Sequence, residues 1–122
     1  NYGDQKKMTY GILFEQGDIV VVPFPFSDLS GFKQRPVLIL SNDVYNSQSD
    51  DLVTCGITTH IKNVDYSIVL ENSDLKEGYI PVTSRIRIDK LFTLEKGIVR
   101  KKIAKVNKNV LEEVKKEFFK LV

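Results

Sequence analysis

The apolar residues of this 122-residue chain come in short bursts, each cut off by glycine, proline or acidic residues. Ile19-Val20-Val21-Val22 follows a Gly17-Asp18 pair and runs into Pro23 and Pro25, and Val37-Leu38-Ile39-Leu40 follows Arg35-Pro36. Valine- and isoleucine-rich runs of four to eight residues between turn formers read as strands, not helices. The pattern predicts strands over 17–24, 35–42, 52–60 and 65–72, an extended segment over 78–94, and a strand or irregular segment over 97–106. The polar stretch 43–51 reads as a turn with one short helical turn at most. Within 52–60, Val53, Cys55 and Ile57 fall on one face and Thr54, Gly56, Thr58 and His60 on the other. Arg85 and Arg87 alternate with Ile86 and Ile88, so the two arginines share a face.

Helical spacing is clearest at the C-terminus. Val110, Leu111, Val114, Phe118 and Leu121 make one apolar stripe, and Asn109 with Glu112 has the spacing of a capping box. A stripe of that kind suits covering a sheet. The expectation is a mainly β, α+β domain with a C-terminal helix, whose five or six short strands curl into a small barrel to hide their edges. A chain of this length is one domain, placed at 17–122, with 1–16 a leader whose polar first seven residues read as a tag remnant or frayed end.

Composition narrows the function. A 42% hydrophobic, 28% charged chain is that of a soluble domain, and no apolar run approaches the roughly 20 residues that span a bilayer. With no signal-peptide pattern, the expected location is the cytoplasm, away from membranes. A single cysteine, Cys55, excludes an internal disulfide, and with a single histidine leaves no zinc set, so no metal or cofactor is expected. The net charge of +2 is uneven. Residues 1–79 hold 6 Lys+Arg against 11 Asp+Glu, a balance of −5, and residues 80–122 hold 12 against 5, a balance of +7. A basic second half suits a polyanionic partner or a solvated lysine face.

Several residues stand out as candidates. Arg35 is biased to extended backbone by Pro36, and its guanidinium fork fits phosphate oxygens or an ion pair with Asp18 or Asp28. Thr58 and His60 would project together from the third strand if it persists that far. Lys33, Arg85 and Arg87 suit phosphate positioning, and Phe26 and Phe32, in the loop between the first two strands, suit base stacking.

The stretches "GDIVVVPFPF", "KQRPVLILSN", "ITT" and "RIRIDKLFTLEKGIV", spread from Gly17 to the last helix, resemble the PemK/MazF family of toxin endoribonucleases. The resemblance implies a small SH3-like barrel of the PemK/MazF/CcdB type acting as a homodimer. It also implies metal-independent, sequence-specific cleavage of single-stranded RNA and inhibition by a cognate antitoxin. On its motifs the catalytic arginine falls on Arg35 and the catalytic threonine on Thr58. A mobile loop over the substrate groove falls on about Pro25 to Gln34, and a groove serine falls on Ser84. His60 matches no family catalytic residue, and its place beside Thr58 makes it a candidate for proton transfer. Two other functions share the barrel: a non-enzymatic toxin that poisons a protein target such as gyrase, and an RNA-binding barrel without turnover.

Overall fold

The structure, a computed structural model, describes residues 13–25 and 32–122, with the backbone alone at Pro25 and Phe32. Its strands are β1 (Asp18–Pro25), β2 (Phe32–Ile39), β3 (Asp51–Thr58), β4 (Ser67–Leu70), β5 (Leu75–Gly78), β6 (Ser84–Glu95) and β7 (Lys101–Val106). Among the described residues two α-helices join them, α1 (Asp43–Gln48) and α2 (Lys108–Leu121), with 3₁₀ turns at Asn72–Asp74 and Lys96–Ile98. The strands form one antiparallel sheet in the order β4-β6-β3-β2-β1-β7-β5. The expected 78–94 segment is β6 alone, and β5 precedes it in "LKEG", whose polar residues carry no strand signal.

Chain connectivity forces the sheet to curl. The outermost strands β4 and β5 are separated in sequence by Glu71 to Asp74 only. Flat, their sheet positions would stand about 29 Å apart at a spacing of about 4.8 Å. The chain from Leu70 to Leu75 reaches about 17 Å at most. The edges therefore approach, and the sheet is a half-barrel.

Three prolines set where the ladders stop. The Val21 carbonyl faces the β7 side, where it accepts the Arg100 N–H at 2.8 Å. By alternation Pro23 and Pro25 have their missing donors on that same side, so β1 keeps its pairing with β2 out to Pro25 while pairing with β7 ends at Val21. The prolines end one ladder, not the strand. Pro36 stands opposite Val21 and so faces β3, and the β2–β3 ladder spans only Val37 to Ile39. The strands part at the position where Pro36 has no N–H to give.

Both faces of the sheet are packed. On one, Ile19, Leu38, Cys55, Ile57, Leu70 and Ile86 are buried under Val110 and Val114 of α2. Each fully buried side chain of this size contributes roughly 1.5–3 kcal/mol. The helix starts earlier than the capping-box spacing predicts: Asn107, not Asn109, is its cap, accepting the Val110 N–H at 2.9 Å. On the other face Val20, Val22, Val37, Ile39 and Leu52 form a smaller core edged by Phe14, Phe24 and Leu94. The folded unit thus takes in residues that the sequence assigns to the leader. Phe14 packs on this core and the Gln16 side chain donates to the Leu40 carbonyl at 2.7 Å.

Asp18 explains the Gly-Asp opening. Its carboxylate is fully buried, accepts the Glu15 N–H at 2.8 Å and lies 3.4 Å from both Lys102 Nζ and Lys105 Nζ. Lys105 also bonds Glu15 at 2.7 Å and holds that carboxyl below its ordinary range. Gly78 is equally constrained. Its φ is +82°, and a β-carbon there would stand 2.1 Å from the Ile103 carbonyl oxygen. Gly78→Ala is expected to destabilise the fold by about 2–5 kcal/mol, combining the left-handed backbone with overpacking. A lower denaturant midpoint at unchanged m value checks this. No helix is long and apolar enough to cross a membrane among the described residues.

Candidate active site

Register alone brings the sequence candidates together. Arg35 pairs with Val22, and two residues on along β2, Val37 pairs with Gly56. Thr58 lies two residues past Gly56 on β3. Arg35 and Thr58 therefore lie on the same face of adjacent strands, at the opening that Pro36 creates. Thr58 in turn faces Arg85 of β6, which faces Val69 of β4. The next row holds Lys102, Val20, Val37, Gly56, Arg87 and Ser67. Lys33, opposite Phe24, sits two residues before Arg35 and shares its face. This is the face away from α2.

The cations of that face differ in their freedom. Arg35 and Lys33 are exposed. Of the two acids that the sequence offers Arg35, Asp18 is taken by the two lysines. Asp28 and the rest of the loop, Phe26 included, lie outside the described residues, as does the Phe32 side chain. Arg87 is committed to Asp89 through two bonds of 3.0 and 2.9 Å. Arg85 is 6% exposed and hydrogen-bonded to the segment after β3. The shared face of the two arginines holds, but neither guanidinium stands open like Arg35.

The strand does not reach His60. β3 ends at Thr58, whose Oγ1 accepts the His60 N–H at 3.1 Å and turns the chain out of the sheet. The face relation predicted by alternation is lost there, and the exposed imidazole belongs to the turn. The same bond occupies one acceptor lone pair of the hydroxyl. With a lone pair engaged by His60, Thr58 has its own proton to donate. Ser84 lies on the opposite, helix-covered face in register with Leu70, buried, and donates to the Val82 carbonyl at 3.0 Å.

An aromatic pair closes the lower end of the face. Phe24 and Phe92 have ring centroids 5.0 Å apart, and the Phe92 ring lies over Gly56, whose missing side chain leaves it room. Sequence reasoning passed over Phe92. A bulge between Cys55 and Gly56 shifts the β3–β6 register from Leu91 to Arg87 and brings it there. No local pattern announces such a bulge.

Two other features lie apart from these residues. Cys55 is fully buried on the helix side, and burial, aided by the charge of Asp89, pushes its thiol up and away from the reactive thiolate. A cavity of about 390 Å³ lies between α2, α1 and β3, walled by Leu40, Tyr45, Val53, Leu111, Val114 and Phe118. Its walls are apolar and it opens on the face opposite Arg35.

The chain was compared with known proteins. Residues 15–122 match the family described as PemK-like, MazF-like toxin of type II toxin-antitoxin system. Among solved structures, a MazE-MazF complex from Deinococcus radiodurans superposes with a TM-score of 0.74 at 22% identity, over 90% of this chain and 96% of that one. An endoribonuclease from a mycobacterial species gives 0.72 at 18% identity, over 89% and 90% of the two chains. An endoribonuclease in complex with its cognate antitoxin, also mycobacterial, gives 0.72 at 20% identity, over 88% and 92%. No curated protein matches.

The Arg87–Asp89 pair carries a pH signature. The hydrogen bonds from Arg87, with its charge, hold the Asp89 carboxyl below its ordinary range. Its stabilisation is thus complete above about pH 3.9, the ordinary aspartate value, and is lost as pH falls through the lower folded value. Thermal unfolding is expected to show the wild type above Asp89→Asn in Tm between pH 5 and 7, and the two converging as the pH falls through the lowered Asp89 value.

Proposed function

Because the chain belongs to the PemK-like, MazF-like toxin family of type II toxin-antitoxin systems, we propose that it is an endoribonuclease that cuts single-stranded RNA at the Arg35–Thr58 face. The observation that carries this is the junction of an exposed guanidinium and a proton-donating hydroxyl on adjacent strands, in a field of further cations. The known relatives named as endoribonucleases share the fold.

The chemistry asks little of the protein. RNA supplies its own nucleophile: the 2′-oxygen bonds to the adjacent phosphorus, the bond to the 5′-oxygen breaks, and the proton of the 2′-hydroxyl passes to a base while another reaches the departing oxygen. The products are a 2′,3′-cyclic phosphate and a 5′-hydroxyl, and DNA, without the 2′-hydroxyl, is not cut. Arg35 grips the phosphate and stabilises the charge that builds on its non-bridging oxygens. A guanidinium stays protonated and makes a poor base, so its part is charge stabilisation first and proton donation second. Thr58 donates its hydroxyl proton to a non-bridging oxygen. His60, on the turn capped by Thr58, is the candidate acceptor of the 2′-hydroxyl proton. Lys33 and Arg85 add positive potential for the strand, and Phe26 and Phe32 are candidates for stacking on its bases, while Ser84, buried on the helix side, and Arg87, neutralised by Asp89, are not assigned to it. Two copies of the domain form the full groove, and an antitoxin segment competes with RNA for it.

Purified protein incubated with mixed-sequence RNA in EDTA tests this in one gel. Cleavage with cyclic-phosphate ends is expected, falling about 10²–10³-fold in Arg35→Ala, the effect of losing one preorganised charge donor. RNA bound but intact would identify a binding barrel, and neither binding nor cleavage a toxin with a protein target. Binding of a DNA strand of the same sequence is expected to weaken steeply as salt rises. For His60→Gln, the acidic limb of the pH–rate profile is expected to shift. An unchanged profile would remove His60 from the mechanism.

A further inference from the structure

We propose that Arg85 is the positioning residue of this site, a buried cation that holds the Thr58 turn in place from behind. The inference rests on the ribonuclease reading for its catalytic consequence, though not for its structural one. Arg85 stands opposite Thr58 in the β3–β6 register. Its guanidinium points into the segment that leaves β3: Nε donates to the Ile61 carbonyl at 3.2 Å, and Nη1 to the Asn63 side chain at 3.5 Å and to Ser67 Oγ at 3.0 Å. Ser67 passes the hold on, donating its own proton to the Val64 carbonyl. One side chain thus ties residues 61, 63, 64 and 67 to the strand that faces Thr58.

That segment needs holding. It has no regular structure between Thr58 and Ser67, and Tyr66 within it sits at φ 58°, a left-handed conformation that a bulky residue keeps only where its surroundings over-determine it. The Tyr66 carbonyl is pinned by the Ile88 N–H at 2.9 Å. Among the described residues no carboxylate pairs with Arg85. A cation this deeply buried is costly to keep where packing alone is wanted, since an apolar residue would fill the space at less expense in desolvation. Its acceptors are instead neutral groups of Ile61, Asn63 and Ser67, beyond the His60 N–H that bonds the Thr58 hydroxyl. The result is a turn whose geometry is set by a rigid planar fork, with a positive charge left uncancelled beside the phosphate site.

Three substitutions and two readouts decide the matter. In Arg85→Met, amide hydrogen exchange at His60 and Ile88, the two amides hydrogen-bonded to this turn, is expected to accelerate about tenfold or more while the central strands β1 and β2 keep their protection. RNA cleavage is expected to lose about 10–100-fold in kcat with KM changed less than about twofold, the mark of a misplaced group on a folded protein. Arg85→Lys should not restore the rate, because an ammonium keeps the charge without the fork. Unchanged exchange at His60 and Ile88 in Arg85→Met overturns the proposal whatever the cleavage result, and so does a wild-type kcat in Arg85→Lys. If Arg85→Met does not fold, Ser67→Ala removes the central Arg85 contact together with the bond that relays it to Val64, and faster exchange at the same two amides is expected; no change there overturns the proposal. Should the wild type cut no RNA, the ribonuclease reading fails by itself, and the exchange measurement still decides what Arg85 holds.

Discussion

Four residues, Glu71 to Asp74, join the two outermost strands of the sheet, and the rest of the molecule follows from that short tether. It is built to be stiff. The Glu71 N–H is held by the Asp74 carboxylate at 2.8 Å, the Asn72 side chain bonds both the N–H and the carbonyl of Ile80 at 2.9 Å, and the Asp74 carbonyl accepts the Asn107 N–H at 2.8 Å. With its edges drawn together, a seven-stranded sheet has an inside and an outside in place of two equal faces. One side takes the stripe of α2. The other keeps a core of five buried aliphatic residues and gives its rim to cations.

That rim shows how alternation distributes chemistry. Leu38, Cys55 and Ile86 point toward the helix, and their immediate neighbours in sequence, Val37, Gly56 and Arg87, point the other way. A strand buried on both faces cannot hold an exposed arginine midway. Arg35 is exposed because it lies beyond the last β2–β3 pair, where Pro36 has no donor and the strands separate. The proline beside the arginine is thus more than a local bias on its backbone: it opens the sheet at the place where the guanidinium reaches solvent.

The charges sort by burial. Asp18 is enclosed and paired with two lysines, and Arg87 is spent on Asp89, so much of the basic excess of the second half serves the fold. Arg85 is enclosed among neutral acceptors. Arg35 and Lys33 remain open to solvent. Counting cations along the chain cannot separate these cases, because the difference is made by what lies across the sheet from each one.

Much of this architecture is legible in the sequence. Short aliphatic bursts specify strands, the 3.6-residue stripe of Val110, Val114 and Phe118 specifies the covering helix, and the Arg-Pro and Ile-Thr pairs mark the candidate site residues. These signals are local, and local propensity is what a sequence states directly. It leaves unstated β5, whose polar residues become a strand only because β7 lies beside them, and the bulge that carries Phe92 over Gly56. The end of β3 at Thr58 was hidden too, since His60 continues the alternation in letters but not in space. The amino-acid order by itself determined which segments are strands, which face of each is apolar, and that an arginine and a threonine stand ready. The tertiary structure alone decided that they meet, that His60 turns away and that Arg85 is locked, because register, proline gaps and burial depend on partners tens of residues distant along the chain.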